Sequence, residues 1–122
     1  MTQENRDLHV QECIRLCWEC RDTCQDTLFN HNLARGGEHI DADNIRLMTD
    51  CMETCQTTAD LMRRNSPLHP ILCIACADVC EACADSCEKM GKEHATIGRC
   101  AEVCRRCAAS CRAMGNMKQA AK

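Results

Sequence analysis

Cys76-Ala77-Asp78-Val79-Cys80-Glu81-Ala82-Cys83-Ala84-Asp85-Ser86-Cys87 spaces four cysteines by four, three and four residues. An α-helix turns once in about 3.6 residues, so this spacing lays all four thiols along one stripe of one face. The pattern recurs in Cys13-Ile14-Arg15-Leu16-Cys17-Trp18-Glu19-Cys20, which continues to Cys24, and in Cys100-Ala101-Glu102-Val103-Cys104-Arg105-Arg106-Cys107, which continues to Cys111. Cys51 and Cys55 form a shorter group, and Cys73 precedes the central one. Four groups predict four helices turned toward one interior. Glu12, Arg15, Glu19, Asp22, Asp78, Glu81, Asp85, Glu102 and Arg105 fall outside the stripes, as a solvated face requires.

The breaks between groups carry the expected punctuation. Gly36-Gly37 ends the first helix and Asp41 caps the second. Asn65-Ser66-Pro67 separates the second from the third, with Ser66 as a cap and Pro67 in the first turn. Gly91 reads as the C-cap of the third helix, which leaves a fourth from about His94 to beyond Met114. Short connections make neighbours antiparallel. The expected fold is therefore all-α, an antiparallel up-down-up-down four-helix bundle with a cysteine-lined core, in a single domain over 1–122.

Composition excludes several classes. The apolar fraction is 45%, but fifteen residues are Cys and only Trp18 and Phe29 are aromatic, so no ordinary core is being built. A cysteine content this high usually marks a small secreted disulfide scaffold. Against that reading, Met1-Thr2-Gln3-Glu4-Asn5-Arg6-Asp7 has no apolar run that could serve as a signal peptide, which places the chain in a reducing cytoplasm. The odd cysteine count also leaves at least one thiol unpaired within the chain, and the regular spacing does not suit a loop-rich scaffold. No segment approaches the roughly 18–20 apolar residues of a membrane span, so no membrane partner and a soluble protein are expected. A net charge of −3 with interspersed signs offers no field for nucleic acid, and Arg63-Arg64 and Arg105-Arg106 read as solvated helix faces.

Facing residues on antiparallel neighbours keep a constant sum of residue numbers, which allows the layers to be written down. Matching Cys with Cys predicts Cys24/Cys51/Cys87/Cys100, then Cys20/Cys55/Cys83/Cys104, Cys17/Thr58/Cys80/Cys107 and Cys13/Met62/Cys76/Cys111, about 5 Å apart. Cys73 begins a fifth layer with Met114. Every cysteine is then inside.

One or two buried cysteines are small hydrophobes. Fifteen on matching stripes are not, because Leu or Ile would fill the same space with more buried apolar area. Soft thiolates select copper(I), zinc or iron–sulfur clusters. Zinc prefers closed sets of four ligands and iron–sulfur clusters need discrete ligand groups, whereas these stripes have no boundaries. Copper(I) accepts low coordination numbers and bridging thiolates, so a C-x-x-x-C pair can hold one ion and cross-helix pairs the next. One monovalent ion per thiolate also leaves the core near neutral, where divalent zinc at that ratio would leave a large positive excess. Empty, the tube carries neutral thiols. The protein is therefore expected to fold without metal and to release about one proton per thiol as it fills.

The three stripes at residues 13–24, 76–87 and 100–111 resemble the cytosolic copper storage proteins, four-helix bundles lined by Cys and lacking an export signal. The resemblance covers nearly the whole chain. It implies storage of multiple copper(I) ions in the bundle core without enzymatic turnover, for copper homeostasis and protection from copper toxicity, and commonly a homotetramer. A copper chaperone is the partner such storage would use. The second helix departs from the stripe at Thr58 and Met62; Met62 still offers a thioether, and Thr58 packs or hydrogen-bonds.

Beyond Cys24 the same register puts Thr27, Met48, Met90 and Ile97 in one layer, with His31 and His94 about one turn further out. Met and His hold copper(I) less tightly than thiolate, which suits an entrance. Against this, helical Met is ordinarily packing and an isolated His is ordinarily surface. At the opposite end His9, His69 and Met114 accompany Cys73. His39 reads as an ordinary loop residue. Ile14 and Trp18 lie off the first stripe and serve either packing at the helix boundary or a subunit interface.

Other classes remain as alternatives to copper storage: zinc or iron–sulfur binding, a thiol redox protein, or a disulfide-laced interaction protein. A redox protein needs one activated exposed C-x-x-C rather than fifteen equivalent thiols. The sequence holds no Ser/His/Asp arrangement, phosphate loop or nucleotide fingerprint, so no enzyme is expected.

Overall fold

The computed structural model describes residues 3–92 and 94–120; Met1, Thr2, Glu93, Ala121 and Lys122 of the domain expected over 1–122 lie outside the described residues. Four long helices account for nearly all of them, and no strand occurs among the described residues. α1 spans Gln3–Thr27 and continues through a π-helical turn, Leu28–Asn32, into a last α turn, Leu33–Arg35. α2 spans Ala42–Arg63, α3 His69–Gly91 and α4 Ala95–Ala120. Each packs on its neighbours in the chain and α1 closes on α4, the expected up-down-up-down bundle.

The connections follow local chemistry. Gly36 and Gly37 end α1 with φ of 69° and 56°, a left-handed conformation that costs a residue with a Cβ. Asp41 caps α2 as expected, its carboxylate accepting from the Asn44 N–H at 2.9 Å. Asn65, at φ 55°, closes α2 with Asn65 N–H donating to Met62 C=O and Ser66 N–H to Leu61 C=O. The expectation that Pro67 opens α3 is corrected. Ser66 Oγ accepts from Leu68 N–H in a turn that keeps Pro67 ahead of the helix, and Pro70 takes the first turn.

Gly91 is also corrected. It remains helical, and its role is close approach: a Cβ there would lie 2.7 Å from the Gly98 Cα. Ala77, Ala84, Ala101 and Ala108 are buried along the same α3–α4 seam, so small residues hold these two helices together along its length. On the outside Arg105 pairs with Asp85 and Glu88, and Arg112 with Asp78 and Glu81, across α3 and α4. These pairs are exposed, so they support the register more than they add stability.

Candidate metal centre

All fifteen cysteines are free thiols with no solvent-accessible surface. The α1–α4 register is as expected: Cys13 Sγ lies 3.7 Å from Cys111, Cys17 3.8 Å from Cys107, Cys20 3.7 Å from Cys104 and Cys24 3.5 Å from Cys100. So is that of α3 and α4, where Cys83 and Cys104 are 3.7 Å apart.

The register of α2 is not. Cys51 meets Cys20 at 3.5 Å and Cys80 at 3.7 Å, and Cys55 meets Cys80 at 3.6 Å, Cys76 at 3.8 Å and Cys107 at 3.9 Å. α2 is thus displaced by about one turn from the expected pairing of Cys24 with Cys51 and Cys20 with Cys55. The layers become Cys24/Met48/Cys87/Cys100, Cys20/Cys51/Cys83/Cys104, Cys17/Cys55/Cys80/Cys107 and Cys13/Thr58/Cys76/Cys111, with Met62 level with Cys73 and Met114.

Two buried asparagines account for the shift. Asn44 donates to Ser86 Oγ at 2.9 Å and to Cys87 Sγ at 3.6 Å, and its Oδ1 accepts from Asn32 at 3.4 Å. Asn32 also donates to Met48 Sδ at 3.7 Å. The π-helical turn aims Leu28 and Asn32 at the core. Buried amides must find partners, and in the expected register Asn44 would lie one turn further out, away from Ser86.

Sulfur spacing decides what the tube can do. With metal–sulfur bonds of ~2.3 Å, contacts of 3.5–4.0 Å correspond to S–metal–S angles of roughly 100–120°. A soft ion can therefore bridge neighbouring thiolates with little movement. Three sets of four thiols have all their sulfurs within 4.8 Å of one another: Cys17/Cys76/Cys107/Cys111, Cys20/Cys24/Cys51/Cys104 and Cys20/Cys55/Cys80/Cys107. Cys20 and Cys107 each belong to two sets. Separate closed tetrahedral sites cannot all be filled at once, whereas a bridged copper(I) network can share those thiolates.

A family model described as copper storage protein matches residues 2–116. The chain belongs to the copper storage protein family. A solved structure of a protein from Nitrosospira multiformis is 40% identical and superposes with a TM-score of 0.83, covering 91% of this chain and 98% of that one. The Cu(I)-bound copper storage protein BsCsp3 is 33% identical with a TM-score of 0.81, covering 88% and 98%. A cytosolic copper storage protein from Streptomyces lividans, described with five coppers, is 27% identical with a TM-score of 0.77, covering 94% and 98%. Comparison with curated protein sequences finds no match.

In this copper storage protein the thiols share protons unevenly. Cys87 is pushed up to about 12, chiefly by its hydrogen bond with Cys100 and by burial. Cys104 is drawn below the ordinary thiol range by hydrogen bonds with Cys100, Cys20 and Cys24. Cys51 and Cys107 lie below the ordinary thiol range through hydrogen bonds with Cys104 and Cys111 respectively, while Cys24 and Cys83 are raised through Cys100 and Cys104. One thiolate stabilised by neighbouring S–H donors makes the next ionisation harder.

The weaker candidates divide between the two ends. Met48 is buried in the outermost thiol layer, one layer deeper than expected, and Met90 is half-buried against the core one turn beyond Cys87. His31 and His94 are half-buried at the same end, with ring centroids 6.5 Å apart. At the other end Met62 is buried, Thr58 Oγ1 donates to Leu72 C=O at 3.4 Å, and Cys73 Sγ lies 3.8 Å from His69 Nδ1. Trp18 is half-buried against the core with the Arg21 guanidinium 5.7 Å from its ring, and Ile14 is buried. His39, expected as an ordinary loop residue, lies in the short 3-10 turn Gly37–His39. Its ring centroid lies 4.1 Å from that of His94 with the planes tilted by 45°, because the glycine turn returns it over the end of the bundle.

Proposed function

We propose that the fifteen buried thiols hold copper(I) as a continuous thiolate-bridged array, one ion for about each thiol, for copper homeostasis and protection from copper toxicity. The carrying observation is the connected network of Sγ contacts at 3.5–4.0 Å that joins thirteen of the fifteen thiols across all four helices, with Cys20 and Cys107 each shared between sets of four and Cys73 and Cys87 buried at its two ends. The role is storage without turnover, with the whole chain 1–122 as the storage unit. The cytoplasm as its location is supported by the description of the Streptomyces lividans relative as cytosolic. Among the described residues no helix is long and apolar enough to cross a membrane.

Met48, Met90, His31 and His94 form the mouth in this reading. Their softer or more labile grip on copper(I) lets ions dock before they pass to the thiols of Cys24, Cys87 and Cys100. Met62 supplies a thioether at the far end. Exposed Leu8, Phe29, Leu68 and Ile71 support a homo-oligomer, a tetramer as the family resemblance implies, and a copper chaperone would deliver the ions.

Anaerobic titration with copper(I), run in parallel with zinc, tests the reading. Saturation is expected on the order of 15 copper(I) ions per chain, with about one proton released per ion. Saturation at one or two copper ions, or tighter and more extensive loading by zinc, would contradict storage of copper.

A further inference from the structure

Three of the five histidines gather at the mouth, outside the thiol tube. His31 comes from the π-helical turn, His39 from the short 3-10 turn Gly37–His39, and His94 from the position just before α4. The ring centroids of His39 and His94 are 4.1 Å apart, and those of His31 and His39 5.3 Å. The Glu38 carboxylate joins this group. The donor atoms of Glu38, His39 and His94 all lie within 4.8 Å of one another.

This donor set differs in kind from the core. Two imidazoles and a carboxylate oxygen suit borderline and harder divalent ions, whereas copper(I) selects thiolate and thioether. His39 is also oriented as a ligand: its Nδ1 is 3.2 Å from the Gly36 C=O, so that Nδ1–H donates to the backbone and Nε2 keeps its lone pair. The His39 N–H donates to the same carbonyl at 3.1 Å, fixing the turn that presents the ring. His31 holds Asn32 Oδ1 through Nδ1 at 3.1 Å and stays at the edge of the group. Glu38 supplies one negative charge against a dication where water can complete a four-coordinate shell.

We propose that Glu38, His39 and His94 form a site for one divalent first-row cation of the zinc class, outside the thiol tube and sharing only His94 with the copper(I) mouth. An ion there ties the α1–α2 connection to the α3–α4 connection across the end of the bundle.

The test uses protein loaded anaerobically with one copper(I) per thiol, its copper content measured first, so that a failure of storage is read independently of this site. Cobalt(II) is then added as a spectroscopic stand-in for zinc. One cobalt per chain is expected, with the weak visible absorption of nitrogen and oxygen ligands, displaced by added zinc. His39→Ala and His94→Ala should each weaken binding by roughly tenfold or more. Glu38→Gln, an exposed substitution that spares the fold, should weaken it too, and His9→Ala at the opposite end should not. Absence of this absorption in the wild-type protein, or its persistence in both histidine variants, would overturn the proposal.

Discussion

Cys87 is the last thiol of α3 before the mouth, and it keeps its proton to about 12 because Cys100 hydrogen-bonds to it and burial opposes its charge. In the unfolded chain the same thiol titrates near 9.0. Between these values the unfolded chain loses a proton that the folded one retains, so this residue's contribution is full below pH 9 and is lost as pH rises toward 12. Thermal or denaturant unfolding of the reduced apo protein across that window should lose stability less steeply in Cys87→Ser, by up to about 1.4 kcal/mol per pH unit. Equal slopes would mean that Cys87 is not held protonated. Met48 sits in the same layer without a titrating group. Replacing Met48 and Met90 by Leu keeps volume and every thiol, so copper capacity should hold while stopped-flow uptake and removal both slow. A Cys13→Ser control at the far end should lose capacity and leave initial uptake unchanged.

Among the elements, α2 is the one whose position carries most consequence. Its two cysteines meet thiols of α1, α3 and α4, so they join the stripes at mid-bundle and leave Met48 for the mouth. Asn44 holds that register through Ser86, Cys87 and Asn32. Asn44→Ala removes these bonds and leaves the buried Asn32 amide short of a partner, which should destabilise the apo protein by about 1–3 kcal/mol with all fifteen thiols retained. An unchanged melting temperature would show that sulfur packing alone sets the register. Four helices, their direction and the α1–α4 and α3–α4 pairings were legible because stripes of four thiols leave a single good match. α2 offers only two, so Cys-to-Cys matching could slide by a turn, and the deciding signal was polar. His39 was illegible for a different reason: it belongs to no periodic pattern, and only two successive left-handed glycines bring it back to the helix ends.

Taken whole, the molecule spends its interior on sulfur rather than on large apolar side chains, with Leu28 and Ile97 confined to the mouth end and Ile14, Leu16 and Val103 at the edges of the stripes. Helix propensity, small residues along the α3–α4 seam and S–H donors around the few thiolates are expected to let the bundle form before any metal arrives. Copper binding to the folded state alone then adds stability by mass action. Copper X-ray absorption of protein loaded near one ion per thiol shows whether copper(I) lies inside this tube, bridged by thiolates. The expected spectrum has a first shell of sulfur alone and a clear copper–copper distance from ions sharing thiolates. A nitrogen- or oxygen-rich shell, or sulfur ligation with no copper–copper scattering, would contradict it.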